Sequence, residues 1–284
     1  MKIWKMHGAG NDFVILDGRA LSLPDAGLPA LARLLCAPHT GVGADGMMLV
    51  VPAEKGGDYG MRFYNSDGSL GEMCGNGARC ICRWGFEQGL AGDTQRVETT
   101  AGLVTGVRID RSRYRVRLND PSVLDLHRAV MLDGTEYDCA YVELGRPGIP
   151  HAVLLLPDWD TWGSGSLRTL GRALRYAEVF PKGANVSFVK LTGPDALKAV
   201  TYERGVEDFT LACGTGCGSI AAALTLRGLV SGESVAVSMP GGELSVSLTR
   251  TEDGVRDIFL AGPTCLVYEA EITEELLEGV CRTF

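Results

Sequence analysis

Residues 208–226 read DFTLACGTGCGSIAAALTL, and the rest of the chain is organised around this stretch. A run typical of a strand, residues 197–202, precedes it, and residues 219–224 are small or apolar, as in a buried helix. Cys213 lies between them at a glycine-rich turn, among N–H groups that have no intrahelical partner. We expect that position to lower the pKa of the thiol and to make it a better base.

A second copy of this device occurs at residues 73–86, MCGNGARCICRWGF, in which Cys74 opens another Cys-Gly-x-Gly turn into a helix. The surroundings repeat as well. Gly46 and Asn185 each lie 28 residues before the cysteine of their own copy (74 − 46 and 213 − 185). Two related halves, each with one thiol at a helix start, predict a cleft with a cysteine on each wall.

The composition is that of an ordinary globular protein with enough residues for two domains: 284 residues, 45% hydrophobic and 22% charged. The net charge of −8 and the lack of a basic run argue against a nucleic-acid surface. The apolar run at residues 1–6 is too short for a signal peptide, and no run has the length needed to span a membrane. We therefore expect a cytoplasmic protein that binds neither nucleic acid nor membrane.

The chain has nine cysteines, an odd number that favours reduced thiols over a disulfide framework. Cys80 and Cys82 follow Cys74 without a paired Cys-x2-Cys spacing, so we expect them to pack in a core rather than to bind zinc. A non-enzymatic thiol redox or metal-binding protein is a competing hypothesis from a different class. Loss of bound zinc or of redox cycling on replacing the two turn cysteines would favour it.

Strand-like runs surround each helix, which favours an α/β (α+β) fold rather than a parallel stack. We predict two pseudo-symmetric domains, each a mixed β-sheet or barrel wrapped around a central helix. The N-terminal half is placed at residues 1–118, with 264–284 as a segment that can return to it, and the C-terminal half at 119–263. The boundary falls in a loop that ends at Pro121, and residues 158–166 are expected to form a surface loop.

Eight short stretches resemble the diaminopimelate epimerase family. They run in the family's order over nearly the whole chain: KMHGAGNDFVILD (5–17), GVGADG (41–46), FYNSDGS (63–69), MCGNGARC (73–80), PH (150–151), NVSFV (185–189), YERGVED (202–208) and ACGTGC (212–217). A single Gly-x-Gly means little, but MCGNGARC combined with YERG and ACGTG is highly specific.

The resemblance implies a cofactor-independent isomerase, without pyridoxal phosphate or metal. Its reaction would interconvert LL- and meso-diaminopimelate for lysine and peptidoglycan biosynthesis. It implies a two-base mechanism in which the thiolate of one cysteine removes the α-proton and the thiol of the other returns a proton on the opposite face. Cys74 and Cys213 match these two positions. The expected partner is a small amino-acid substrate held between the two domains, and the expected assembly is a homodimer.

The chemistry agrees with the repeat, because inverting an α-carbon needs a base and an acid on opposite faces, in opposite protonation states. The α-proton of an amino acid is very weakly acidic. The carbanion must therefore be stabilised by oriented N–H groups at the substrate carboxylate and by exclusion of water. Gly75, Asn76, Gly214 and Thr215 begin the two helices beside the thiols and would supply these donors.

Further positions match family residues that hold the substrate or adjust the thiols. The match assigns the distal carboxylate and amine to Asn11, Asn65, Asn185 and Arg204, the α-amino group to Glu203, and adjustment of the thiol pKa values to His151 and Glu203. The residues alone leave other interpretations open. A Pro-His pair in a loop is more often structural, and Asn11 and Asn185 could equally be turn residues.

Three positions depart from the family's pattern. Ile149 stands where many members carry an asparagine, and by the repeat it is the partner of Asn11; Gly46 stands where some members have glutamine. Phe209 replaces a residue that is usually acidic. These changes leave the α-carbon chemistry intact but affect the far end of the substrate. The alternative function is therefore a racemase or epimerase of the same fold that acts on another amino acid, for example of the histidine, lanthionine or proline type.

Overall fold

The computed structural model describes residues 1–21, 23–71 and 73–281, and for residues 279–281 it describes the backbone alone. The chain divides into two compact units. Unit 1 is Met1–Val116 together with the residues from Gly262 onward, and unit 2 is Arg117–Ala261. Within the described part of the chain, no helix has the length and apolar character needed to cross a membrane.

The described helices are α1 (Leu28–Cys36), α2 (Gly75–Glu87), α3 (Ser164–Arg175), α4 (Gly214–Leu226) and α5 (Glu274–Cys281), with short 3-10 helices at Gly18–Ala20, Asp25–Gly27 and Trp159–Thr161. The described strands are β1 (Lys2–Gly8), β2 (Asn11–Asp17), β3 (Gly46–Val51), β4 (Tyr59–Asn65), β5 (Leu70–Gly71), β6 (Thr94–Thr99), β7 (Gly102–Arg108), β8 (Arg113–Arg117), β9 (Pro121–Leu132), β10 (Thr135–Leu144), β11 (Ile149–Leu155), β12 (Asn185–Gly193), β13 (Ala196–Glu203), β14 (Asp208–Thr210), β15 (Val235–Met239), β16 (Gly242–Thr251), β17 (Gly254–Pro263) and β18 (Cys265–Glu271).

The strands of the two units pair in the same pattern. In unit 1, β1 lies antiparallel to β2 and β18, and β2 lies parallel to β3. Strand β4 pairs antiparallel with both β3 and β5, and parallel with β6. Strand β7 pairs antiparallel with both β6 and β8. Unit 2 repeats these pairings with strand numbers nine higher, and β9 takes the place beside β10 that β18 takes beside β1. The predicted internal repeat is confirmed in the strand connectivity.

The helices that follow the two cysteines are the central helices of their units. Strands β1, β2, β3 and β7 pack against α2, and their counterparts β10, β11, β12 and β16 pack against α4. Glycines permit this close approach: a Cβ added at Gly77 would lie 1.7 Å from Met48 Cε, and one at Gly218 would lie 2.7 Å from Leu118 Cδ1. The fold class predicted from the small residues, a mixed sheet around a buried helix in each half, is confirmed.

Two features of unit 2 differ from the expectation. Residues 158–166 are not simply a surface loop, because Trp159 is 7% exposed within the core under α3, and Ser164 already begins that helix. Burying the large apolar area of the indole stabilises this position in the core, although the neighbouring residues in the sequence are polar. The long strand Pro121–Leu132 is the second difference. Most of its residues are partly or fully exposed, so it lacks the apolar alternation by which a strand is recognised.

A buried hydrogen bond between side chains of β4 and β6 leads to a stability prediction. The Tyr59 hydroxyl donates to Gln95 Oε1 at 2.5 Å, and Gln95 is fully buried. A Tyr59→Phe variant should lose about 2 kcal/mol of unfolding free energy, because the Gln95 oxygen is left without this donor. Urea denaturation measures the loss. Tyr268→Phe is the control, since Tyr268 is 41% exposed in the same unit, and an equal loss in both variants would contradict the prediction.

Candidate active site

Both cysteines of the repeat directly precede the first residue of their central helix, as the sequence predicts. Cys74 has φ −117° and ψ 118° ahead of α2, and Cys213 has φ −115° and ψ 107° ahead of α4. Each carbonyl accepts the first helical hydrogen bond, from Ala78 N at 2.8 Å and from Cys217 N at 3.0 Å. Extended backbone before a helix places each side chain beside N–H groups of the first turn. We refer to the surroundings of Cys74 as the first half-site and to those of Cys213 as the second.

In the first half-site, Asn11 contacts the thiol. A two-residue turn with positive φ at Ala9 (53°) and Gly10 (83°) joins β1 to β2 and puts Asn11 at the start of β2. Cys74 Sγ lies 3.2 Å from Asn11 Oδ1, and Asn11 Nδ2 donates to Asp45 Oδ2 at 2.5 Å. Asn11 is therefore part of a hydrogen-bonded chain from Asp45 to the thiol, and not merely a turn residue.

The other predicted residues of unit 1 also have partners within the unit. Asn65 ends β4 opposite Gly46, and its Nδ2 donates to Ser69 Oγ at 2.9 Å. Asn76 is buried in the first turn of α2, where its Oδ1 accepts from Arg79 Nη2 at 2.9 Å. The side chain of Asn76 is thus committed to its own helix, while its backbone N–H belongs to the group at the helix start.

In the second half-site, a hydroxyl joins the thiol to a histidine. Thr215 Oγ1 lies 3.8 Å from Cys213 Sγ and 3.0 Å from His151 Nε2. Glu203 ends β13, and its Oε1 accepts from Thr210 Oγ1 at 2.5 Å. The structure therefore brings Cys213, Thr215 and His151 into one chain, although His151 precedes the helix by more than sixty residues.

The acidity of Cys213 is opposite to the expectation. Burial raises the pKa of this thiol well above its ordinary value, and the Glu203 carboxylate raises it further. The backbone N–H of Gly216 and the Thr215 hydroxyl lower the pKa, but by less. The prediction that a helix start makes this thiol more acidic is wrong here. Removal from water destabilises the thiolate more than the N–H groups of the helix start stabilise it. Cys213 is a thiol in this state.

His151 is fully buried, and burial, with a smaller contribution from Arg204, lowers its pKa to about 3. The imidazole is therefore neutral at physiological pH. Its Nε2 either donates to Thr215 Oγ1 or accepts from it, and the other ring nitrogen takes the complementary state. His151 can orient the Thr215 hydroxyl without bringing a positive charge to the thiol.

The depressed pKa of His151 makes stability depend on pH. The neutral ring stabilises the fold at pH values above about 6.5, and this stability is lost as the pH falls towards 3. Between pH 7 and 5, wild type should lose about 2 kcal/mol more than a His151→Phe variant, since 1.4 kcal/mol corresponds to one pKa unit. Urea unfolding at both pH values measures the difference. A variant of the exposed His127, His127→Gln, is the control and should follow wild type; an unchanged pH dependence in His151→Phe would exclude this role.

Asn185 and Arg204 form the outer part of the second half-site. Asn185 is buried, its Nδ2 donates to Pro150 O at 3.3 Å, and its Oδ1 accepts from the backbone N–H of Arg204 at 2.8 Å. The exposed guanidinium of Arg204 donates from Nη1 to Lys182 O at 3.1 Å. Asn185 thus positions the backbone of Arg204, and the contact with Lys182 orients a guanidinium that has further N–H groups for a carboxylate.

The strand registers show which residues of the two half-sites are equivalent. Phe13 lies opposite Gly46 just as His151 lies opposite Asn185, and the next strand continues the match. The equivalent pairs are Asn11 and Ile149, Phe13 and His151, Asp45 and Ala184, Gly46 and Asn185, Asn65 and Glu203, and Cys74 and Cys213. In four of the six pairs one residue is polar and the other is not, so the thiols were kept while their surroundings diverged.

The structure also explains one departure from the family's pattern, and it identifies one residue, Asp45, and one side-chain group, the Thr215 hydroxyl, that the sequence does not point to. Phe209 packs against Tyr202 and Phe188, with ring centroids 5.8 and 6.2 Å away, so it serves the core of unit 2. Asp45 was not singled out, although it lies in the GVGADG stretch, because its bond to Asn11 spans 34 residues. The hydroxyl of Thr215 was missed because the sequence points only to its backbone N–H.

Cys80 and Cys82 are buried in α2, which confirms their predicted core packing. None of the eight cysteines whose side chains the structure describes forms a disulfide. Among the described residues, no group of three or more His, Cys, Asp or Glu side chains is arranged to hold a metal ion.

Comparison with known proteins matches nearly the whole chain. A family model described as Diaminopimelate epimerase matches residues 3–123 and 146–265. The diaminopimelate epimerase of Aquifex aeolicus is 39% identical over 287 residues, with 98% of this chain and 100% of that protein covered. The diaminopimelate epimerase of Desulfitobacterium hafniense is 38% identical over 298 residues, with the same coverage.

Solved structures share the fold at low sequence identity. A probable proline racemase from Agrobacterium radiobacter K84 matches with a TM-score of 0.70 at 18% identity, covering 96% of this chain and 92% of that one. A Bacillus anthracis phenazine biosynthesis protein of the PhzF family also has a TM-score of 0.70, at 14% identity, with 96% and 99% covered. At these identities the likeness concerns the fold alone. The family model and the full-length relatives decide the assignment: this chain belongs to the diaminopimelate epimerase family of isomerases.

Proposed function

We propose that this chain interconverts LL- and meso-diaminopimelate, with Cys74 and Cys213 as the catalytic acid and base. One observation supports the proposal most directly. Each unit places a cysteine immediately before the buried helix around which its strands are built. Two like groups on two like scaffolds are what a reversible inversion needs, because each must act as base in one direction and as acid in the other.

The proton movements balance without another reactant. The thiolate of one cysteine takes the α-proton and becomes a thiol, and the C–H electron pair remains on the substrate as a carbanion. The thiol of the other cysteine then gives its proton to the opposite face of that carbon and becomes the thiolate. After one turnover the two sulfur atoms have exchanged protonation states, and the reverse reaction or proton exchange with water restores them.

The carbanion needs stabilisation, and the helix starts are the groups that can provide it. The backbone N–H groups of Gly75, Asn76, Gly214 and Thr215 lie in the first turns of α2 and α4, at the ends of the helices from which N–H groups point outward. Donors of this kind stabilise negative charge that spreads from the α-carbon into the substrate carboxylate. Both helix dipoles favour an anion at the same ends.

Substrate binding would also activate Cys213. Glu203 is proposed to hold the α-ammonium group of the substrate. A positive charge there offsets the carboxylate that raises the pKa of the thiol. The thiolate would then form in the complex rather than in the free protein. Arg204, Asn11, Asn65 and Asn185 are proposed to hold the distal groups, with Asn185 acting through the backbone of Arg204.

The test is incorporation of solvent deuterium at the α-carbon of diaminopimelate, with reduced protein and no added cofactor. Nuclear magnetic resonance follows the label, and chiral chromatography follows the appearance of the other epimer. We expect both to occur. Folded, reduced protein that incorporates no deuterium from either epimer would refute the function.

A second candidate keeps the chemistry and changes the substrate. Ile149 is equivalent to Asn11 by strand register, so the second half-site has an apolar residue where the first has an amide. An epimerase for histidine, lanthionine or a proline-type amino acid would fit this loss of a polar contact. The same deuterium assay over these amino acids decides between the two. Faster exchange on one of them than on diaminopimelate would favour this candidate.

We also propose that the protein works in the cytoplasm, in the synthesis of lysine and peptidoglycan, as a homodimer. The lack of a basic run in the sequence and the net charge of −8 agree with a small-molecule substrate rather than a nucleic acid. Sedimentation velocity at several concentrations tests the assembly, and a single monomeric species at micromolar concentration would contradict it.

A further inference from the structure

We propose that Asp45 is a positioning residue that acts through the side-chain amide of Asn11 and keeps Cys74 in its thiol form when no substrate is bound. The catalytic meaning of this role rests on the function proposed above, but the protonation of Cys74 can be measured without any substrate. The resemblance includes Asp45 in the GVGADG stretch but gives it no role, and the repeat does not point to it, since the equivalent residue of unit 2 is Ala184.

The carboxylate of Asp45 is held at the start of β2. Its Oδ2 accepts from the backbone N–H of Asp12 at 3.0 Å and from Asn11 Nδ2 at 2.5 Å. In return, the backbone N–H of Asp45 donates to Asp12 O at 3.1 Å and to Asp12 Oδ1 at 3.0 Å. These reciprocal bonds hold the Asp45 carboxylate within hydrogen-bonding distance of the Asn11 side chain.

A cation anchors the same region. The Lys5 ammonium, whose side chain is 9% exposed, lies 2.5 Å from Asp12 Oδ2 and also donates to Gly43 O. β1 is thereby tied both to β2 and to the loop that carries Asp45. Lys5 therefore holds Asp12 and the backbone at Gly43 together, and this limits how far the loop with Asp45 can move relative to Asn11.

The bond to Asp45 decides which end of the Asn11 amide faces the thiol. An ionised carboxylate only accepts hydrogen bonds, so the NH₂ end of the amide must point to Asp45. The carbonyl oxygen Oδ1 then points the other way, and it lies 3.2 Å from Cys74 Sγ. A carbonyl oxygen only accepts, so the sulfur must donate and therefore carries its proton. A thiolate would place two acceptors in contact, which is repulsive.

Other charged groups near this contact do not change its direction. In unit 1 these groups are Asp12, Lys5 and Arg79, besides Asp45 itself. The Nη1 atom of Arg79 donates to Gly75 O at 3.4 Å. The ammonium of Lys5 is paired with Asp12. The orientation of the Asn11 amide therefore favours the thiol form of Cys74, and rotation of this amide would present its N–H groups to a thiolate instead.

The second half-site lacks this device. Ile149 and Ala184 stand in place of Asn11 and Asp45, and Cys213 instead faces the Thr215 hydroxyl. A hydroxyl can donate to a thiolate or accept from a thiol, so it does not favour one form by geometry. The two cysteines are therefore controlled differently, Cys74 by a directed amide and Cys213 by its buried surroundings.

The experiment measures how fast iodoacetamide alkylates Cys74 as a function of pH, with peptide mass spectrometry to separate it from the other cysteines. Iodoacetamide reacts with the thiolate, so the rate reports the thiolate fraction. In an Asp45→Ala variant the Asn11 amide is free to rotate, and the alkylation rate at pH 7 should rise about three- to tenfold, the value of one hydrogen bond. The Asp45→Asn variant keeps an amide oxygen for Asn11 Nδ2 and should remain within about twofold of wild type.

Asp58→Ala is the matched control. Asp58 is an exposed carboxylate of the same unit that also accepts from a backbone N–H, that of Arg96 at 2.6 Å. It should leave the Cys74 profile unchanged, and circular dichroism confirms that each variant is folded. An unchanged profile in Asp45→Ala would overturn the proposal. An equal rise in Asp45→Asn would overturn it too, because the effect would then come from the charge and not from orientation of the amide.

The outcome is separable from that of the proposed function. A shifted alkylation profile together with no deuterium exchange on any amino acid would leave the role of Asp45 standing and would refute the epimerase. Deuterium exchange together with an unshifted alkylation profile would support the epimerase and refute the role of Asp45.

Discussion

Cys74→Ser and Cys213→Ser variants should each interconvert the two epimers of diaminopimelate more than about a thousandfold more slowly than wild type. A positioned acid or base contributes about 10²- to 10⁴-fold, and a serine hydroxyl is far too weakly acidic to replace a thiolate at neutral pH. Because inversion needs both groups, loss of either one should be nearly as damaging as loss of both.

The two variants should differ in deuterium exchange without inversion. With one cysteine left, its thiolate can still remove the α-proton on its own face. Once the resulting thiol has exchanged this proton for a deuteron from the solvent, it can return the deuteron to the same face. One variant should therefore label the LL epimer and the other should label the meso epimer, each without converting it. Nuclear magnetic resonance of each epimer in deuterated water measures the pattern.

Cys265→Ser is the control for these variants. Cys265 is an exposed cysteine at the start of β18, and its replacement should leave epimerisation unchanged. If both catalytic variants labelled the same epimer, a single base would be at work and the two-thiol mechanism would be excluded. Normal turnover by either variant would exclude it as well.

The second large effect is expected at Arg204. An Arg204→Met variant should lower kcat/KM by about a hundredfold, mainly through a higher KM, because a charge-assisted contact with a substrate carboxylate is lost. The kcat/KM of an Arg204→Lys variant should lie between that of wild type and that of Arg204→Met, since lysine keeps the charge but lacks the paired donors of the guanidinium. Steady-state kinetics over a wide range of substrate concentration separates KM from kcat.

Arg250→Met provides the matched control, because Arg250 is an exposed arginine on β16 of the same unit. Its kinetics should follow wild type. A fall in kcat with unchanged KM in Arg204→Met would show that Arg204 acts on the reaction step rather than on binding. An unchanged kcat/KM would remove it from the site.

Several parts of the fold could be predicted because their causes are local. A Cys-Gly-x-Gly turn before a run of small residues predicts a helix that starts at Gly75 or Gly214, and the structure begins α2 and α4 there. The strand β9 could not be predicted, since most of its residues are partly or fully exposed and it has no apolar periodicity. Trp159 was misplaced because the composition of its neighbours describes the loop and not the one side chain that enters the core.

The acidity of the thiols was beyond local reasoning. A helix start predicts a more acidic Cys213, but burial and the Glu203 carboxylate raise its pKa. Burial depends on how many strands surround the helix, and Glu203 is brought close by the register of β13. Neither the burial of Cys213 nor its distance from Glu203 follows from the order of residues along the chain, although Glu203 lies only ten residues before the cysteine.

The sequence by itself determined the two-copy organisation, the place of each cysteine and the family, because turn glycines, helix starts and family motifs are properties of short segments. The tertiary structure alone decided what surrounds each thiol. The bond from Asn11 to Asp45 spans 34 residues and that from His151 to Thr215 spans 64, so both depend on strand pairing. Pairing joins residues that are distant along the chain, and it is this joining that makes two half-sites with the same backbone chemically different.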